Sequence, residues 1–299
     1  MAKTRDLRRR IRSIENTRQI TKTMEMVATS RLKRAQDRVV AARPYAQALA
    51  EVLANLLTPE LAERFPLLRP PLASLRRVAL VSLTSNRGLC GAFNANLIRE
   101  TRLRIAELEE RGARVELHLI GRKGIGYFRF LGRELASQRH DITDRPTMEQ
   151  AIALITPLME RFARGELDQV EFIFARFVSA LSTPPTRLPV LPLATPARGR
   201  TGGPANRTAR HAALNYILKP SAEELLAQLL PLYVQNQVYR ALVESAASEQ
   251  GARRTAMKNA TDSAGDMIDV LRRTFNRARQ AQITQEIAEI VGGAEALKG

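Results

Sequence analysis

Glycines cluster where an anion would need them. Ser85-Asn86-Arg87-Gly88-Leu89-Cys90-Gly91 follows an apolar run of strand length, and Gly121-Arg-Lys-Gly124-Ile-Gly126 follows a second. A glycine turn from strand into helix lets backbone N–H groups close on a phosphate. Neither spacing matches the dinucleotide fingerprint or the P-loop, and no Lys-Ser or Lys-Thr follows the second cluster. Tight turns at strand ends account for both. Cys90 is the single cysteine, so no disulfide forms within the chain, in keeping with a reducing compartment. A thiol nucleophile needs a base beside it. His118, His140 and His211 stand in no suggestive pattern, and Cys90 reads as a structural thiol. No Cys and His spacing suits a metal. Carboxylates near the C-terminus, among them Glu244, Asp262, Asp266 and Glu289, alternate with basic residues as on a solvated face. No catalytic residue, cofactor or metal is expected.

The elements that would hold these turns form a small α/β domain. Arg77–Thr84, Val115–Ile120 and Val170–Val178 read as strands. Asn94–Glu110, Gly121–Leu131 and Thr147–Arg164 read as helices, with Gly112 and Gly165 as stop signals. The order β-α-β-α-α-β predicts a Rossmann-like, mostly parallel sheet. Leu181–Leu193 carries four prolines and reads as an extended edge segment.

Long helices flank this domain. Lys3 to about Leu57 is helix-forming throughout, with Pro44 expected to bend or interrupt it near Arg43. Its apolar residues Leu7, Ile11, Ile14, Ile20, Met24, Val27 and Leu32 make a narrow stripe, suited to one partner helix. A second helix opens at Ser221, whose spacing to Glu224 is that of a capping box. Pro231 is expected to bend it, and no proline follows from Leu232 to Val291, about 90 Å at helical rise. Ala241, Ser245, Ser248, Ala252 and Ala256 form a small-residue stripe that lets another helix approach; Met267, Leu271, Ala278, Ile283, Ile287 and Ile290 continue it. The two helices satisfy each other as an antiparallel two-helix coiled coil. The organisation expected is 1–57 and 220–299 as coiled-coil helices, 75–194 as the α/β domain and 195–219 as a Gly-, Pro- and Arg-rich basic loop.

The chain carries a formal charge of +17, mostly Arg, spread over its length. Such a surplus favours acidic partners: nucleic acid, an anionic membrane surface or an acidic protein. Aromatics are few and Trp is absent, which weighs against base-stacking platforms. No apolar run is long enough to span a bilayer. The N-terminus is basic but has no apolar h-region, so no leader or transit segment is expected.

Three separated, collinear segments resemble the γ subunit of F-type ATP synthases. They are Ile11 to Val27 with Arg43-Pro-Tyr-Ala46, then Arg87-Gly-Leu-Cys-Gly-Ala-Phe-Asn94, then Ala247-Ser-Glu-Gln250, Ala256-Met-Lys258 and Asn276 to Gly293. The resemblance implies a non-catalytic rotor shaft whose paired terminal helices turn inside a ring of three α and three β subunits. It implies an ε subunit and the membrane c-ring as further partners, no nucleic acid, and a peripheral place at the cytoplasmic face of a bacterial membrane. Carried over by position, it implies rotor–ring contacts at Met24, Arg253, Arg279, Gln280, Thr284 and Ile287. Asn86 departs from the family's usual Asp, and Arg254 from a common Met. A basic coiled-coil structural or nucleic-acid-binding protein is the alternative that composition alone leaves open.

Overall fold

The computed structural model describes residues 2–57, 61, 64–70, 75–193 and 221–296. The expected basic loop at 195–219 lies outside the described residues. Two long helices open and close the chain, α1 (Ala2–Leu56) and α5 (Ala222–Ala296). Between them come β1 (Arg77–Leu83), α2 (Phe93–Glu110), β2 (Arg114–Ile120), α3 (Arg122–Phe130), β3 (Ser137–Arg139), α4 (Met148–Ala163), β4 (Gln169–Ala175) and β5 (Pro185–Leu191). The chain divides into two compact units, residues 1–30 with 253–299, and residues 31–252.

The first unit is the helix pair. Thr4 bonds to Gln282 at 3.1 Å, Glu15 pairs with Arg272 at 2.7 Å, Gly265 faces the Arg18 guanidinium, and the Thr21 and Thr261 hydroxyls lie 2.8 Å apart. One residue number rises as the other falls, so the helices are antiparallel. The seam runs Thr4, Leu7, Ile11, Ile14, Arg18, Thr21, Glu25 and Ala28 on α1. On α5 it runs Met257, Thr261, Ala264, Ile268, Leu271, Phe275, Ala278 and Gln282. Steps of three and four alternate on both, the 3.5-residue repeat of a coiled coil.

This seam corrects the stripes expected from apolar residues alone. Ile20 and Val27 are 59% and 53% exposed, and Met267, Ile283, Ile287 and Ile290 also face outward. The repeat passes through Arg18, Thr21, Glu25 and Thr261, polar residues that a count of apolar ones skips. Nor does Pro44 interrupt α1. It is exposed, and the carbonyl it leaves without a donor belongs to Val40, itself on the exposed face. α5 likewise runs through Pro231.

The second unit centres on a five-stranded sheet in the order β3-β2-β1-β4-β5, parallel except for β5, which pairs antiparallel with β4. β1 and β4 are buried along nearly their whole length, as strands covered on both faces must be. β5 is the edge expected from its prolines. β3 escaped the sequence because Ser-Gln-Arg has neither apolar alternation nor length; it docks through His118, whose Nδ1 lies 2.7 Å from Ser137 Oγ. Thr147 caps α4 in a reciprocal box with Gln150, and Gly112 and Gly165 take the left-handed conformation after α2 and α4. Ser221 Oγ accepts from Glu224 N–H at 3.2 Å to start α5.

Within this unit the long helices also pair. Leu49, Leu53 and Leu56 share a core with Leu226, Leu230 and Val234, and Ala35 and Val39 with Val243 and Ala247. The small-residue stripe of α5 has a second partner that the sequence did not reveal. Ser248 Oγ donates to the Ala175 carbonyl at 2.9 Å, and a β-carbon on Gly251 would sit 3.3 Å from Ala180 O. Both contacts are at the carboxyl end of β4. Strand order reverses between β1 and β4, and that crevice is where open α/β sheets bind ligands. Here α5 lies against its β4 side.

Two outcomes follow. Burial holds His118 below the ordinary histidine value. The unfolded chain therefore takes up the proton first, so the stabilisation present above about pH 6.5 is lost as pH falls through that value toward the folded one. Urea midpoints should drop between pH 8 and 5, and His118→Gln should flatten that drop. In the seam, Thr261→Val should cost about 1 kcal/mol, and Thr21→Val/Thr261→Val should recover most of it because no hydroxyl is then left facing a methyl group. Urea unfolding of the two variants checks this; equal costs would contradict the pairing.

Candidate partner interface on the paired helices

The glycine turns are wired internally. The first three N–H groups of α3 are the ones an anion would use. Arg122 N–H donates to Asn86 Oδ1 at 3.1 Å, Lys123 N–H to Ser85 O at 3.1 Å and Gly124 N–H to Thr84 Oγ1 at 3.0 Å. Gly121 has φ +97°, and a β-carbon there would lie 2.1 Å from Thr84 O. Only glycine fits, and it fits against protein. Ser85 and Asn94 tie the preceding loop together: Ser85 N–H donates to Asn94 Oδ1 and Asn94 Nδ2 to Ser85 Oγ. Cys90 is buried beside them, and Asn94 Nδ2 lies 3.1 Å from its Sγ. Asn86, a departure from the resembled pattern, donates through its amide to the carbonyls of His140 and Ile142 at 3.0 and 2.9 Å. An aspartate has no hydrogen to offer there. Among the described residues no group of His, Cys, Asp and Glu is placed to hold a metal.

The paired helices present a different kind of surface. Beyond the thin seam, Ile20, Met26 and Val27 on α1 and Met267, Val270, Ile283, Ile287, Ile290 and Val291 on α5 are all more than 45% exposed. An outward apolar surface of this extent marks a place where another protein sits. Arginines surround it. The antiparallel register sets Arg8, Arg9, Arg10 and Arg12 of α1 alongside Arg272, Arg273, Arg277 and Arg279 of α5, a positive collar the sequence hid because its halves are over 250 positions apart. Glu15 neutralises Arg272, and Arg8 stacks on Phe275 at 5.6 Å.

The six expected contact residues fall in two places along the unit. Arg279, Gln280, Thr284 and Ile287 span about two turns of α5, the last three on one face. Arg279 and Gln280 are exposed, and neither side chain has a hydrogen-bonding or charged partner among the described residues. Thr284 Oγ1 donates to Gln280 O at 3.0 Å, which leaves its lone pairs outward. Nearby carboxylates are occupied: Glu286 accepts from Gln282 and Glu289 from Gln285, each at 2.9 Å. Met24 and Arg253 are half-buried and lie within about a turn of each other by register, roughly 39 Å along α5 from Arg279. The fold brings four of the six together and keeps two apart.

Known proteins share this organisation. The ATP synthase family profile matches residues 3–297. The ATP synthase gamma chain of Gemmatimonas aurantiaca is 62% identical over 299 residues, all of both chains. That of Desulfitobacterium hafniense is 46% identical over 300 residues, again all of both. Among solved structures, the central stalk and c-ring assembly of Tetrahymena thermophila mitochondrial ATP synthase contains a chain with a TM-score of 0.58 and 26% identity, matching 81% of this chain and 99% of that one. A chain of the Euglena gracilis mitochondrial ATP synthase rotor shares the fold at a TM-score of 0.63 and 19% identity, over 94% and 99% of the two chains. None of these relatives supports the nucleic-acid-binding alternative.

Asn86→Ala should lower unfolding stability by about 1–3 kcal/mol, since it strips three backbone groups of their partner. Thermal melts of the full chain check the wiring; an unchanged midpoint would mean that water replaces the amide without cost.

Proposed function

We propose that this chain, which belongs to the ATP synthase gamma-chain family, couples ion flow through a membrane ring to nucleotide chemistry as the rotor of the complex. Its partners are the three α and three β subunits of the catalytic ring, an ε subunit and the c-ring. Catalytic sites lie on the ring subunits and not on this chain, which acts by turning. It is held peripherally, at the cytoplasmic face of a bacterial membrane. Among the described residues no helix is long and apolar enough to cross one.

The observation that carries this reading is the exposed apolar and arginine surface on a helix pair with a thin seam. Such a pair needs a sleeve. Three equivalent ring subunits around one asymmetric shaft cannot all make the same contact. One β subunit meets Arg279, Gln280 and Thr284 while the others meet different faces, so the three differ in nucleotide affinity. Turning the shaft passes that bias around the ring, and by linkage a nucleotide that prefers one state drives the shaft. Arg279 supplies charge-assisted hydrogen bonds to ring carboxylates, and the surrounding collar supplies electrostatic complementarity. Met24 and Arg253 form a second contact level. Ile287, with Ile283, Ile290 and Val291, bears on an apolar part of the sleeve.

Arg279→Ala and Gln280→Ala should each lower ATP synthesis and hydrolysis by roughly tenfold or more in a reconstituted complex, the effect of losing a charge-assisted or well-placed hydrogen bond. Thermal stability of the chain should not change, because neither side chain has a partner among the described residues. Wild-type rates in both directions would sink the proposal.

A further inference from the structure

A second surface, on the α/β unit, carries chemistry that the rotor contacts do not use. The segment Gly121-Arg-Lys-Gly-Ile-Gly-Tyr-Phe-Arg-Phe-Leu-Gly-Arg133 holds four cations and no carboxylate. Its helix α3 buries Gly124, Ile125 and Phe128 and turns Arg122, Lys123, Gly126, Arg129 and Phe130 outward. Phe130 is 87% exposed, far more than a core-forming residue tolerates, and Leu131 beside it is 51% exposed. α3 leaves β2 at the carboxyl end of the sheet and runs back, so Arg122 and Lys123 stand near that end and Phe130 and Leu131 at the amino end.

The cations on this face are not neutralised. Arg122 and Lys123 have no side-chain partner among the described residues. Arg129 donates to the neutral amide of Gln138, and Arg102 of α2 donates to the Tyr127 hydroxyl at 3.2 Å. Only Arg133, paired with Glu109, is balanced. The outward face of α3 thus joins one bulky exposed ring to three cations without carboxylate partners, Arg129 beside the ring and Arg122 and Lys123 about two turns back along the helix. It matches an anionic lipid interface, where the ring enters the acyl boundary and the cations stay among the headgroups.

We propose that the outward face of α3, centred on Phe130 with Arg122, Lys123 and Arg129, docks on anionic phospholipid. This does not rest on the rotor assignment. The chain contains no Trp, so Phe130→Trp gives a single reporter at the tip, and Leu181→Trp, at an 85% exposed position in the loop between β4 and β5, gives a control at the other end of the sheet. Full-length chains carrying each substitution are mixed with phosphatidylcholine or phosphatidylglycerol vesicles whose acyl chains are brominated. Quenching and a blue shift are expected only for Phe130→Trp and only with phosphatidylglycerol. Because the whole chain is basic, charge is tested against an equal loss elsewhere. Arg122→Gln/Arg129→Gln should weaken vesicle binding about tenfold more than Arg9→Gln/Arg10→Gln. Equal quenching of the two reporters, or equal losses for the two charge pairs, overturns the proposal. So does a Phe130→Trp reporter that lipid leaves unquenched and an acidic protein subunit shields.

Discussion

A 3.5-residue repeat written into both ends of one chain is the constraint on which the other features depend. It requires that residues near position 10 meet residues near position 275, so the whole α/β unit has to be an insertion between two halves of a coil. The repeat is nevertheless weakly apolar. Among the described residues of the first unit only Ala28, Met257, Thr261, Ala264 and Ile268 are buried. A helix pair that buries so little gains modest stability from its own contacts. Its outward Ile, Met and Val residues are the apolar surface left for a partner to cover. Thin seam and sticky exterior are two sides of one allocation of hydrophobic residues.

The α/β unit solves a different problem, holding a twisted sheet to helices that belong to something else. Arg104 of α2 reaches Glu171 of β4 at 2.8 Å, with Glu171 almost wholly buried, and Arg187 of β5 grips Glu107 and Glu100 of α2. The two arginines hold the Glu107 carboxyl down to about 2. Glu171, the buried carboxylate, is costly to leave unpaired, so its bond to Arg104, with the Arg187 grip beside it, fixes where α2 lies over β4 and β5. At the carboxyl end of β4, Ser248 and Gly251 set a helix against the side of the crevice where open α/β sheets bind ligands.

Much of the fold was legible because its signals are local. Gly112 and Gly165 end helices through their own conformations, Thr147 caps through Gln150 three residues away, and the prolines of Leu181–Leu193 confine that stretch to an edge. What stayed hidden depended on distance. β3 exists only because His118 and Leu117 accept it. The seam at Arg18, Thr21 and Glu25 looks like solvent-facing helix until Thr261 and Gly265 are set against it. Of the expected contact residues, Arg279, Gln280 and Thr284 were reached through resemblance, and their company of arginines at positions 8–12 appears only with the antiparallel register. The same holds for Asn86, whose two donated hydrogen bonds end on carbonyls more than fifty residues away.

A seven-residue repeat imposes a left-handed supercoil on straight α-helices. A rope of fixed hand does not treat clockwise and anticlockwise twist alike. Torque of one sign winds the two helices closer and presses the Thr21–Thr261 and Arg18–Gly265 layers together; torque of the other sign opens them. A motor that runs forward and in reverse loads this coil once as a tightening screw and once as a loosening one. Its elastic response therefore differs between synthesis and hydrolysis, although every contact along the seam is the same.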